Sequence, residues 1–133
     1  MKMQKEENKK ESEKEFKIRL YNYILQLLKF LSKLPNDPVN AEVKRQLIAS
    51  GTSIGANYFE ARGASSKRDY QNFFSISLKS SNESCFWLAL LRDGIMLSQD
   101  LKIECKNLLK ETEEIAKIFA SSILTMKGEK KCF

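Results

Sequence analysis

The segment "IASGTSIGANYFEARG", residues 48–63, decides how the rest of the chain is read. Before Tyr58 it is almost entirely Ser, Gly, Ala, Thr and Asn, and only Ile48 and Ile54 are large. A phosphate-cradling loop of the Walker type needs four residues between its glycines and then a Lys. Gly51 and Gly55 enclose three residues and no Lys follows, so that reading fails. A dinucleotide fingerprint fails as well, because no strand precedes the glycines. Spacing of four instead places Gly51 and Gly55 on one face of a helix, with Ser50 and Ala56 beside them. Each mid-helix glycine costs about 1 kcal/mol relative to Ala. Close approach of another backbone is the expected compensation, as in small-xxx-small helix pairs. The stretch reads as a packing surface.

The totals agree with a helical chain. A length of 133 residues suits one domain with a single core. Hydrophobic content of 42% beside 30% charge is ordinary for a globular protein. Five Gly and two Pro are too few for a chain of many tight β-turns. There is no His, which removes the commonest metal ligand, the commonest general base and the Ser/His and Cys/His nucleophile pairs. Cys85, Cys105 and Cys132 have no zinc or redox spacing. The expectation is therefore no enzyme, no metal and no cofactor. Residues 1–15 hold no apolar run of a signal peptide, and no segment has the roughly 18 apolar residues that span a bilayer. A reducing cytoplasm, with no membrane partner, is the expected location.

Residues 1–15 are charged and without apolar period, and are expected as a disordered segment or a frayed helical extension. The folded unit is expected over 16–127, with helices at about 16–34, 38–62, 66–93 and 98–126. In the first, Leu20, Ile24, Leu27, Leu31 and Leu34 step by four and three. Pro35 stops it, Asp37 is suited to cap the second helix and Pro38 to open it. Gly63 breaks the second helix, and Ser66 with Asp69 has the spacing of a capping box for the third. Gly94 ends the third. In the fourth, Leu101, Cys105, Leu108, Thr112, Ile115, Phe119, Ser122 and Met126 again step by four and three. Gly128 closes it before a basic tail, 128–133. Three short connections predict an all-α, antiparallel, up-down-up-down four-helix bundle.

The third helix is unusually apolar. Tyr70, Phe73, Phe74, Ile76, Leu78, Cys85, Trp87, Leu88 and Leu91 cover an arc of roughly 200°, about twice that of an ordinary surface helix. Phe86 and Leu90 add apolar area on the remaining side. Either a second subunit hides the excess, or the arc is a wide core-facing stripe with Phe86 and Leu90 left exposed. Burial between subunits is the expected form, and the bundle should be oligomeric. Serines 77, 80, 81 and 84 interleave with these residues and would let the third helix approach the small face of the second.

The formal charge is +6. Residues 1–15 hold five Lys and five Glu, so the surplus lies in the remainder, where it would draw polyanions. Arg62, Lys67 and Arg68 cluster at the turn between the second and third helices, and Lys102, Lys106 and Lys110 form a stripe on the fourth. Either group could engage phosphates. No aromatic platform is evident beside them in the sequence. Asn57 reads as a buried hydrogen-bonding residue, and Glu83 as the partner of a cation such as Arg45. Glu60 and Glu83 are too far apart for acid–base work.

The runs "GTSIGANYFEA", "SSKRDYQNFF" and "NESCFWLALL" resemble the four-helix bundle proteins of the 23S rRNA intervening-sequence family, over about residues 18–125. The matching motif residues are Gly51, Ser53, Gly55, Asn57 and Glu60 on the second helix, with Glu83 and Trp87 on the third. Ser84 stands where Thr is common, Tyr70 where Phe is, and Lys79 where an acidic residue is frequent. The resemblance implies an antiparallel bundle assembling as a homopentamer without established enzymatic activity. A related accessory protein of diversity-generating retroelements shares the bundle and binds nucleic acid and a reverse transcriptase. The function these readings predict is non-enzymatic, low-specificity binding of RNA, DNA or a ribonucleoprotein by a homo-oligomer. The alternative is a protein-interaction scaffold or accessory subunit, with an unidentified protein partner and no nucleic-acid contact.

Overall fold

The computed structural model describes residues 1–131, and the side chains of residues 1–128. Four helices follow one another: α1 Lys2–Ser32, α2 Pro38–Ala61, α3 Lys67–Gly94 and α4 Gln99–Lys131. Among the described residues there is no strand. Each start has a local cause. The Asp37 side chain accepts from the Asn40 backbone N–H at 2.9 Å, and Pro38 supplies a preset φ where no N–H is needed. The Ser66 hydroxyl accepts from the Asp69 N–H at 3.0 Å. Asp69 accepts in turn from the Ser65 N–H at 3.0 Å, one residue earlier than in a strict capping box.

The two ends of the chain differ from the sequence reading in instructive ways. The charged segment 1–15 continues α1 as a helix exposed on all sides. Gly128 does not end α4, which runs on to Lys131. A single glycine only lowers helix propensity, and no Pro follows to enforce a stop. The tail expected at 128–133 is thus helical to Lys131, and Cys132 and Phe133 lie outside the described residues.

The helices form a closed cycle in which the backbones of α1 and α3 each neighbour those of α2 and α4. Tyr58 of α2 reaches across the centre to Phe119 of α4, 6.1 Å between ring centroids. Partner numbers run in opposite senses along neighbouring helices. Ser50 meets Ser84 at 2.9 Å, Ser53 meets Ser80 at 2.8 Å, and the Ile54 carbonyl accepts from Ser77 at 2.9 Å. Between α1 and α4, Tyr23 meets Thr112 at 2.6 Å and Lys33 meets Glu104 at 3.0 Å.

The small residues do two different jobs. The serines lie at the α2–α3 seam, where Ser77, Ser81 and Ser84 are fully buried and each hydroxyl has an acceptor. Short side chains let these two helices pack closely, as the sequence suggested, and the hydroxyls meet the demand of burial. The glycines face elsewhere. A Cβ on Gly51 would fall 2.3 Å from Cδ2 of Leu27, and one on Gly55 would fall 2.4 Å from Cδ1 of Ile24. They are sockets for side chains of α1 in the same chain, not a site of backbone approach or of docking between copies. The socket explains why α1 can lay Leu20, Leu27 and Phe30, all fully buried, against the core without pushing α2 away.

Candidate functional site

At one end of the bundle α1 and α4 run past the turn that joins α2 and α3. Phe16 on α1 packs edge-on against Tyr58 at 5.2 Å and Phe119 at 5.5 Å between ring centroids. The segment before Phe16 on α1 and the C-terminal part of α4 extend beyond these contacts, toward the turn. Between these extensions and the turn is a cavity of about 1310 Å³. Its floor is aromatic: Phe16, Tyr58, Tyr70 and Phe74, contributed by three helices. Tyr70 stacks on Phe74 with centroids 4.7 Å apart and ring planes 31° from parallel. Tyr58 and Phe74 are buried, whereas Phe16 and Tyr70 are half-buried and open to the cavity.

The rim is basic. Lys9, Arg62 and Lys67 line the cavity with a single carboxylate, Glu13, against them. The Arg62 guanidinium stands 5.9 Å from the centroid of the Tyr58 ring, within cation–π range. Burial, and after it the Glu13 carboxylate, pushes the Tyr70 phenol above its ordinary range, while Arg62 opposes the shift.

Of the three cations expected at this turn, the structure brings Arg62 and Lys67 to the cavity and leaves Arg68 exposed outside its lining. Lys9 joins them from the segment whose charge balance had concealed it. Lys102, Lys106 and Lys110 form an exposed row toward the other end of the bundle. At 1.5 Å per residue, Lys102 is about 25 Å along α4 from Phe119. The Arg92 hydrogen bond holds the Asp93 carboxyl below its usual range, with Lys102 and Lys106 adding a smaller pull. The two basic groups are separate surfaces.

The aromatic floor was missed in the sequence because its members are 16, 58, 70 and 74. Only folding makes them neighbours, and the Tyr/Phe content around the turn was the one available signal.

The family-motif residues have structural surroundings. Asn57 is half-buried and donates to the Ser53 carbonyl at 2.9 Å and hydroxyl at 3.0 Å, within its own helix. Glu60 is exposed. Glu83 is exposed too, and Arg45 pairs with Glu42 at 2.6 Å, not with Glu83. Glu42 is three residues back on the same helix and is within reach at no cost in ordering a second element. Trp87 is half-buried, and its indole N–H finds no acceptor among the described residues. Burial pushes the thiols of Cys85 and Cys105 up to about 11. No three His, Cys, Asp or Glu side chains among the described residues gather as metal ligands would. None of the helices, over those residues, is long and apolar enough to cross a membrane.

Exposed apolar area is distributed differently from the sequence reading. Much of the α3 arc is spent on the core: Phe74, Leu88 and Leu91 are buried, and Phe73, Leu78, Cys85 and Trp87 are half-buried against it. Ile76, Phe86 and Leu90 stay exposed, Phe86 at 55%. A second stripe was not foreseen. Ile18, Tyr21, Leu25 and Leu28 step by three and four along the outside of α1, with Tyr21 56% exposed.

Comparison with known proteins agrees with the helical fold. The sequence profile of the family described as 23S rRNA-intervening sequence protein matches residues 18–121. A solved structure of a protein of unknown function from the S23 ribosomal protein family of Bacteroides thetaiotaomicron is similar, with a TM-score of 0.68 and 31% identity. That similarity covers 80% of this chain and 96% of the other. No curated protein matches. With a match over most of its length and a bundle of the corresponding fold, the chain belongs to the 23S rRNA-intervening sequence protein family.

Proposed function

We propose that this chain is a non-enzymatic, antiparallel up-down-up-down bundle that assembles into a ring, by resemblance a homopentamer, and binds RNA or a ribonucleoprotein with low sequence specificity. The observation that carries the binding reading is the rim of Lys9, Arg62 and Lys67 around an aromatic-floored cavity, in a chain of net charge +6. Five copies would carry about +30, so contacts that are weak singly would act together. Free Cys85 and Cys105 suit a reducing cytoplasm.

Assembly into a ring is supported by the two apolar faces. A closed ring of more than two copies needs two different complementary surfaces, one meeting the other on the next subunit. The stripe on α1 and the patch on α3 belong to helices that are not neighbours in the cycle, so one copy offers two separate apolar surfaces. A two-fold dimer would need only one such face.

Light scattering with RNA-binding titrations tests both parts. A discrete oligomer is expected, disrupted by Tyr21→Glu together with Leu25→Glu. Affinity for structured RNA should fall at least tenfold between about 50 and 200 mM salt. It should fall again when Arg62, Lys67 and Arg68 are changed to Ala. Salt-independent binding, or full binding by the triple variant, overturns the phosphate mechanism. Recovery of one protein in stoichiometric amount after nuclease treatment, with no RNA affinity, would favour the scaffold reading.

A further inference from the structure

We infer that the cavity at the α2–α3 turn receives unpaired bases of a nucleic-acid strand, so that the protein prefers single-stranded segments to duplex. The inference rests on the nucleic-acid reading above and adds what part of the polymer is recognised. A cationic rim accounts for phosphate and is indifferent to whether bases are paired. The floor is not indifferent. Phe16 and Tyr70 present half-exposed rings into a cavity whose lining also includes Tyr58 and Phe74. Bases in a duplex are stacked on one another and cannot reach such a surface, whereas splayed bases stack on aromatic rings and on Arg planes. Arg62, already positioned over Tyr58 at 5.9 Å, can serve both the phosphate and the stack.

Size and charge narrow the occupant. Pockets for single small molecules run to about 300–1,000 Å³. This cavity, at about 1310 Å³, exceeds that range and suits a short run of linked nucleotides. Three cations against one carboxylate along the lining select an anionic occupant. An uncharged apolar peptide or hydrocarbon chain would leave that charge unanswered.

The test compares three ligands at equal phosphate concentration: a ten-nucleotide single-stranded RNA, an abasic strand of the same length, and a blunt-ended duplex without a loop. The full chain is used, as wild type, Tyr70→Leu and Arg62→Ala. The base-bearing strand should bind at least tenfold more tightly than the abasic strand or the duplex. Tyr70→Leu keeps the floor filled and should weaken only the base-bearing strand, by about 5- to 100-fold. Arg62→Ala should weaken all three. As a readout independent of any variant's folding, ultraviolet cross-linking of a thiouridine strand to the wild type should mark peptides containing Tyr58 or Tyr70. If all three ligands bind alike and all weaken with Arg62→Ala, RNA binding stands and the base pocket is wrong. If none binds at 50 mM salt, both fall. Cross-links confined to the Lys102–Lys110 row, or a fatty acid recovered in the cavity, also overturn the inference.

Discussion

The clearest mechanical prediction concerns Gly51. Changing it to Ala adds one methyl group, which on a solvent-exposed helix would stabilise by about 1 kcal/mol through helix propensity. Here the new Cβ would lie 2.3 Å from Leu27 Cδ2. Ordinary contact between carbons needs about 3.5–4.0 Å, so Leu27 must retreat by more than 1 Å. Leu27 is fully buried, so its retreat must repack the side chain among core neighbours. Overpacking of this kind costs about 1–3 kcal/mol, with the upper half expected at a fully buried site. Subtracting the propensity gain leaves a net loss of roughly 1–2 kcal/mol. For a chain of this length that lowers Tm by roughly 3–10 °C. Thermal melts followed by circular dichroism, at one fixed protein concentration because assembly would shift Tm, measure it. Gly128→Ala is the matched control, since a Cβ there meets nothing within 4 Å and the same residue change should be neutral or stabilising. Combining Gly51→Ala with Leu27→Ala should be less damaging than the sum of the two by about 1–3 kcal/mol, because the clash disappears with the leucine. A higher Tm for Gly51→Ala, matching Gly128→Ala, would refute the socket. An unchanged Tm with loss of oligomer would instead place the glycines at a contact between copies.

Three further outcomes follow from the interior. Ser77→Ala should cost about 0.5–1.5 kcal/mol by removing the bond to the Ile54 carbonyl, whereas Ser77→Leu should unfold the chain or force α2 and α3 apart, as urea melts would show. Tyr23→Phe should cost about 1 kcal/mol, since Thr112 retains its bond to the Leu108 carbonyl at 2.7 Å and no donor is stranded. Burial holds the thiol of Cys85 at about 11, above the unfolded value near 8.5, so the folded state keeps a proton that the unfolded chain has lost. Stability from this source is complete below about pH 8.5 and is lost as pH rises toward 11, and buried Tyr23, also shifted upward, adds to the loss above about pH 10. Urea midpoints should fall from pH 8 to pH 10, and alkylation of Cys85 at pH 8 should be on the order of a hundredfold slower than for a free thiol, read by peptide mass spectrometry.

Periodicity and punctuation made the four helices legible in the chain itself. The α1 seam from Leu20 to Leu34, the Asp37–Pro38 start and the Ser66 cap are local features whose physics does not depend on a partner helix. The serine seam was legible for a related reason, since short hydroxyl-bearing residues on facing helices have few other uses. The recurring runs around Gly51, Lys67 and Trp87 likewise pointed to the family.

What faces what could not be read from spacing. Helical period says that Gly51 and Gly55 share a face, but the identity of the neighbour that fills them, Leu27 and Ile24 of α1, is set by how the bundle closes. The stripe of Ile18, Tyr21, Leu25 and Leu28 has the same three-and-four step as a core seam, and only the positions of α2 and α4 leave it uncovered. The aromatic floor had the same obscurity, because its four rings come from three helices and meet only where α1 and α4 overrun a turn. Local propensity and pattern act over a few residues and so are written along the chain. Sockets, faces and cavities depend on distances between segments far apart in it, and only tertiary packing decides those.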